Sequence, residues 1–204
     1  MPDTPDSRTA ILDAAERLFG QQGFASTTIK HIGAEAGVNS ALMYYYFADK
    51  ETLYRATLQR MIGDLSTGAS SRIATIDDPE QAIRAFIQFQ VEFLLARPHL
   101  PRLLVRELVD HEAAHAWDYI PQITAGTFAR LCELIRSAQR SGRFRADLDP
   151  IFAAIHIVAL VAYAFIARPA IARILELESA KIPDAVMRSY ADHAADFALG
   201  ALSA

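Results

Sequence analysis

The sequence predicts an all-α chain, and three observations carry that expectation. Apolar residues recur at the helical spacing of three and four through almost every segment, and no stretch sustains the apolar–polar alternation of a half-buried strand. Prolines and short polar side chains fall where helices would begin, as at Asp78-Pro79 and Asp149-Pro150. Of 204 residues, 52% are hydrophobic and 22% charged, which suits a chain with a sizeable buried core and excludes a disordered one.

The elements follow in order. Ile11, Leu12, Ala15, Leu18 and Phe19 share one face of a first helix over about 7–22, closed by Gly23 in a left-handed position, with Phe24 packing back on Phe19. A second, short helix follows Ser26-Thr27, with Ile29, Ile32 and Ala36 facing inward. Gly37-Val38 turns the chain, Asn39 caps a third short helix through Tyr46, and Asp49 caps a fourth that carries Leu53, Tyr54, Leu58 and Met61. Asp78-Pro79-Glu80-Gln81 reads as cap, first-turn proline and capping-box glutamine, opening a helix that stops before Pro98. Pro101 opens a helix to about His115, and Pro121 another to near Gly142. Asp149-Pro150 opens an apolar helix ending near Pro169, and the last runs from about Pro183 to Leu202. About nine helices result, short ones in front and longer ones behind.

Composition bounds the function. A single cysteine, Cys132, excludes a disulfide framework and a multi-thiolate metal cluster, and points to the reducing cytoplasm. The start MPDTPDSRTA lacks the cationic and apolar regions of a secretory leader. The most apolar stretch, Ile151 to Ala167, is 17 residues long and interrupted by His156, so it reads as a buried helix and not a membrane span. A net charge of −4 excludes bulk attraction to nucleic acid, and five cations against seven acids leave residues 1–55 at −2.

Two short helices joined by a turn containing Gly37 form a helix-turn-helix pattern, in which the second helix enters the major groove. On that helix Met43 and Phe47 point inward, while Ser40, Ala41, Tyr44 and Tyr45 share the other face. Tyrosine hydroxyls suit phosphate oxygens, and Thr28 and Lys50 stand at helix starts where backbone N–H groups also suit phosphate. The competing reading is that the tyrosine-rich helix packs against a partner subunit.

The segment ILDAAERLFGQQGFASTTIKHIGAEAGVNSALMYYYFADKETLYRATL resembles the DNA-binding region of the TetR family of bacterial one-component repressors. The resemblance rests on Ile11-Leu12, Ala14-Ala15, Leu18-Phe19, Gly23-Phe24, Thr28, Ile32, Ala36-Gly37-Val38, Tyr44, Tyr46-Phe47 and Lys50-Glu51, in order and without gaps. It implies a helix-turn-helix domain over 1–52 and a helical ligand-binding and dimerisation domain over 53–204. It also implies base or sugar contacts from Asn39, Ser40, Ala41 and Tyr45, and phosphate contacts from Thr28, Tyr44, Tyr46 and Lys50, with Lys30 reaching base or backbone. Three departures from the pattern stand out: Leu42 replaces a hydroxyl residue, Gly33 replaces a helix-favouring alanine, and Ser40-Ala41 offer no arginine to read guanine. The partners implied are a palindromic duplex, a second copy of the chain and a small-molecule effector, with no cofactor and no membrane.

His111-Glu112-Ala113-Ala114-His115 matches the zinc-hydrolase pattern H-E-x-x-H, which on a helix would put His111 and His115 on one metal with Glu112 as base. The chain lacks the strands that shape such sites, so a solvated helix end is the favoured reading, with a zinc-dependent hydrolase or a metal-responsive regulator as alternatives. For the effector, Phe86, Phe89, Phe93, Trp117 and Tyr163 are expected as cavity walls, with Glu107 and His111 as polar anchors. His156 and Cys132 read as core. Alanines in the last two long helices, among them Ala153, Ala154, Ala159, Ala194, Ala195 and Ala198, are expected to let helices of two subunits approach closely.

Overall fold

A computed structural model describes residues 7–179 and 181–204, with side chains except at 122 and 123. The leader-free start expected of residues 1–6 lies outside the described residues. The helices are α1 (Ser7–Ser26), α2 (Ile29–Ala36), α3 (Ser40–Tyr46), α4 (Lys50–Ile73), α5 (Pro79–Ala96), α6 (Leu100–Asp110), α7 (Ile120–Ile123), α8 (Ala129–Arg140), α9 (Pro150–Ile166), α10 (Arg168–Ile174) and α11 (Asp184–Leu202). They form two compact units: the chain up to Ile62 with Pro98–Ile120, and Gly63–Arg97 with Pro121–Ala204. Among the described residues no single helix is long and apolar enough to cross a membrane.

The expected caps are in place because each satisfies a backbone donor that a helix start leaves open. Asp49 accepts from the Thr52 N–H at 2.7 Å, Asp78 from Gln81 at 2.9 Å and Asp149 from Ile151 at 2.7 Å. In the first unit Ile11, Leu12, Phe19, Ile32, Met43 and Leu53 are buried. Phe19 meets Tyr54 edge-on at 4.9 Å, and Arg60 of α4 pairs with both Asp13 and Glu16 of α1.

In the second unit α5 and α11 lie against each other through a ladder of three polar pairs spaced four residues apart. Arg84 meets Asp196, Gln88 meets Asp192 and Glu92 meets Arg188, so the numbers rise along one helix as they fall along the other. Beneath that ladder Ala191, Ala194, Ala195 and Ala198 are buried, as are Ala153 and Ala154 on α9. These small residues serve packing inside the unit. Of the alanines expected at a subunit interface, Ala159 faces outward.

Four boundaries differ from the sequence reading. The first helix, expected to close at Gly23, runs on to Ser26 with Gly23 as a kink inside it at φ 83°, ψ 169°. The helix expected from Pro121 to Gly142 is broken at Gly126, whose φ and ψ of −95° and −111° are not helical, and a π-type turn at Thr124–Phe128 precedes α8. The apolar helix yields at Ala167 to α10, which Pro169 opens. The helix expected to reach His115 ends at Asp110, and a series of turns follows.

Candidate DNA interface

A seven-residue helix has little stability of its own, so α3 must be held by its ends and by its packing. The Asn39 side chain accepts from the Leu42 N–H at 2.9 Å, and Met43 and Phe47 are buried beneath. The preceding turn is closed by Gly37 at φ 69°, ψ 25°, a left-handed position glycine takes without steric cost, and by the Val38 N–H on the Gly33 carbonyl at 2.9 Å. Gly33 is buried, and a Cβ there would stand 3.2 Å from the Val38 oxygen and 3.3 Å from Met43 Cγ. Its departure from the family pattern therefore marks close approach of α2 and α3, not an exposed weak point in the helix.

The outward face of α3 presents Ser40, Ala41, Tyr44 and Tyr45, the two rings 59% and 79% exposed. Tyr45 rests edge-on against the half-buried Tyr46 at 5.1 Å. Asn39, just before Ser40, and Lys30 on α2 are also exposed. Thr28 is exposed at the start of α2, and its oxygen accepts from the His31 N–H at 3.2 Å, which leaves its own O–H free to donate outward. Lys50 behaves differently. Its ammonium donates to the Phe24 carbonyl at 3.1 Å and stands 4.3 Å over the Phe24 ring, so one of its three donors closes the end of α1.

The H-E-x-x-H segment is not helical. Residues 111–116 are turns, Glu112 and Ala113 carry φ of 50° and 62°, and Glu112 is exposed. The i, i+4 helix geometry that the hydrolase reading needs is therefore absent. The turn is held by buried Glu107, whose Oε1 accepts from the N–H groups of His115 at 2.7 Å and Ala116 at 3.2 Å. Its Oε2 lies 3.1 Å from His115 Nδ1.

The residues expected around an effector fall in both units. Glu107, His111 and the exposed Trp117 belong to the first. In the second, Phe86 is buried on α5, and the rings of Phe89 and Phe93 lie 5.7 Å apart. The neighbouring Gln90 is buried with its side-chain carbonyl oxygen unpartnered. Tyr163 is exposed and lines a groove of about 810 Å³ with Phe152, His156 and Phe197, so His156 is a surface residue and not a core one. Cys132 is buried, its thiol pushed to a higher pKa by that burial, as a core residue should be. The sequence carried no sign of Tyr54's special position. It follows the core periodicity of α4, yet its hydroxyl is buried without a hydrogen-bond partner.

Residues 11–57 match the family described as bacterial regulatory proteins, tetR family, and residues 79–197 match the family described as tetracyclin repressor-like, C-terminal domain. The chain is 28% identical over 144 residues to the HTH-type transcriptional repressor NicS of Pseudomonas putida, covering 70% of this chain and 68% of NicS. It is 36% identical over 84 residues to the HTH-type transcriptional regulator BetI of Rhizobium meliloti, covering 41% of each. Among solved structures, the ketosteroid transcriptional regulator KstR2 of Mycobacterium tuberculosis aligns with a TM-score of 0.76 at 16% identity, over 99% of this chain and 97% of that one. The fatty acid degradation regulator FadR of Bacillus halodurans aligns with 0.74 at 20% identity, over 98% and 97%. At these identities the structural likeness speaks for the fold alone.

Proposed function

Because the chain belongs to the TetR family of bacterial regulatory proteins, we propose that it acts in the cytoplasm as a homodimeric repressor, released from a palindromic operator by a small molecule. That it is a DNA-binding transcriptional regulator and not an enzyme follows from the family. The observation that carries the reading is the outward face of α3, where Ser40, Ala41, Tyr44 and Tyr45 stand exposed above the buried Met43 and Phe47. Small residues at the start of the helix allow close approach to base edges and thymine methyls, and the tyrosine hydroxyls reach phosphate. Thr28, Lys30, Asn39, Tyr46 and Lys50 complete the proposed contact set, and the domain division is proposed at 52/53.

Homodimerisation is supported by an unpartnered apolar strip on the second unit. Phe152, Ile155, Tyr163 and Ile166 recur at helical spacing on the exposed side of α9, and Phe197 of α11 is exposed beside them. Two copies meeting there would offer two reading helices to successive grooves, roughly 34–36 Å apart. The effector's proposed place is around α5, where Phe86, Phe89 and Phe93 give apolar surface and the unpartnered Gln90 oxygen gives a polar anchor. Repression is the sign that the NicS name supports for its own protein, and it is proposed here by likeness.

The test is a gel shift or anisotropy titration on the palindrome adjoining the gene. Tyr44→Ala and Tyr45→Ala should weaken binding at least about tenfold, roughly 1.4 kcal/mol, with unchanged helical content because both rings are exposed. Few cations face the groove, so the salt dependence should imply fewer than about ten neutralised phosphates per dimer. Normal binding by both variants would overturn the placement of the reading helix.

A further inference from the structure

We propose that Glu107, His111 and His115 form a binding site for a divalent first-row transition metal, zinc by the chemistry of the donors. One donor atom from each of the three side chains lies within 4.8 Å of the others, and Glu107 is 1% exposed while both histidines are half-buried. Two imidazoles and a carboxylate are the donor set of a catalytic-type or regulatory zinc site with one position left for water.

The carboxylate divides its work between two oxygens. Oε1 is taken by the N–H groups of His115 and Ala116, which fixes the group in place, while Oε2 lies 3.1 Å from His115 Nδ1. Metal bonds of about 2.0–2.1 Å at a tetrahedral angle separate two ligand atoms by about 3.3–3.4 Å. That pair is thus within a few tenths of an ångström of bidentate spacing. His111 completes the trio with its ring 4.8 Å from that of His115 at 84°, so the imidazoles approach from different directions. In the tautomer with its hydrogen on Nε2, His115 offers the Nδ1 lone pair to a cation beside Oε2.

The surroundings are built as a metal site's are. The rings of Phe24 and Tyr54 flank both histidines at centroid distances of 5.2–6.1 Å, excluding water from one side and strengthening charge interactions within. The Tyr54 hydroxyl is buried with no hydrogen-bond partner. That orphaned hydroxyl, on the ring that flanks both histidines, is suited to bond a metal-bound water. Arg106 is a nearby positive charge that opposes a cation, and it is drawn toward the Phe19 carbonyl at 3.3 Å. Asp110 adds negative charge at the rim.

The experiment is equilibrium dialysis of the full chain against Co²⁺ and Zn²⁺, with the visible d–d bands of Co²⁺ reporting coordination. The expected result is one Co²⁺ per chain, displaced by Zn²⁺, and a thermal midpoint raised by either metal. His111→Ala should weaken binding at least about 100-fold, since loss of even an outer-shell partner commonly costs 10–100-fold. Glu107→Gln keeps an oxygen to accept the His115 and Ala116 N–H groups but loses the charged ligand, so it should fold and lose the metal. His156→Ala, on the exposed face of α9, should bind as the parent does. Absence of stoichiometric Co²⁺ in the parent, or equal binding by His111→Ala, overturns the site.

Discussion

Phe152→Ala tests the proposed pairing of two chains directly. A phenylalanine side chain brings about 150–250 Å² to an interface, and Phe152 is 63% exposed, so roughly 125 Å² of it is available for burial by a partner. At about 25 cal/mol per Å² that is close to 3 kcal/mol per copy, and about 6 kcal/mol for a symmetric pair. In full this would weaken dimerisation about 10⁴-fold, and the costs of ordering side chains at an interface reduce the yield, so at least about 100-fold is expected. The ring contributes little within its own chain, and far-UV circular dichroism should not change. Sedimentation equilibrium over a concentration series reads the dissociation constant. A value within about threefold of the parent's, less than 0.7 kcal/mol, would refute the assignment of this face to a second copy.

Two further outcomes follow from the packing and the caps. Gly33→Ala gains about 1 kcal/mol in helix propensity, but its Cβ meets the Val38 oxygen at 3.2 Å and Met43 Cγ at 3.3 Å. The backbone oxygen sits in a hydrogen-bonded turn and yields little, so overpacking of about 1–3 kcal/mol should win and lower the urea midpoint; a stabilised variant would show that α2 and α3 are not held this closely. The Asp78 carboxyl is held below its usual range by the Gln81 N–H first and by Arg143 as well. Its contribution is therefore present above the unfolded carboxyl pKa of about 3.9 and lost as pH falls through the lower folded value. Asp78→Ala should cost about 1 kcal/mol near neutrality, counted from the cap alone because the ion pair is exposed. The gap to the parent should close in acid melts below about pH 4, and a gap that persists there would contradict the cap.

The all-α class, the helix starts and the short helix α3 were legible in the sequence because each depends on neighbours within a turn or two. Asn39, Asp49, Asp78 and Asp149 cap the helices that follow them, and Met43 and Phe47 face inward four residues apart, all by local geometry. Other features depend on what a distant segment brings alongside. Gly33 reads as a propensity cost until Val38 and Met43 come against it, and the alanines of α11 are buried within the single chain. Lys50 turned back to the Phe24 carbonyl, 26 residues away. The H-E-x-x-H pattern was visible as five letters, but its helix was not there. The backbone instead folds into turns because buried Glu107 draws the N–H groups of His115 and Ala116 onto one oxygen. Periodicity reports which face of a helix is apolar, and it is silent on which residues from elsewhere in the chain meet that face. Tyr54 shows the limit most clearly: its place in the apolar stripe of α4 announced a core residue, and only the folded chain set its ring beside two imidazoles with its hydroxyl buried and unpartnered.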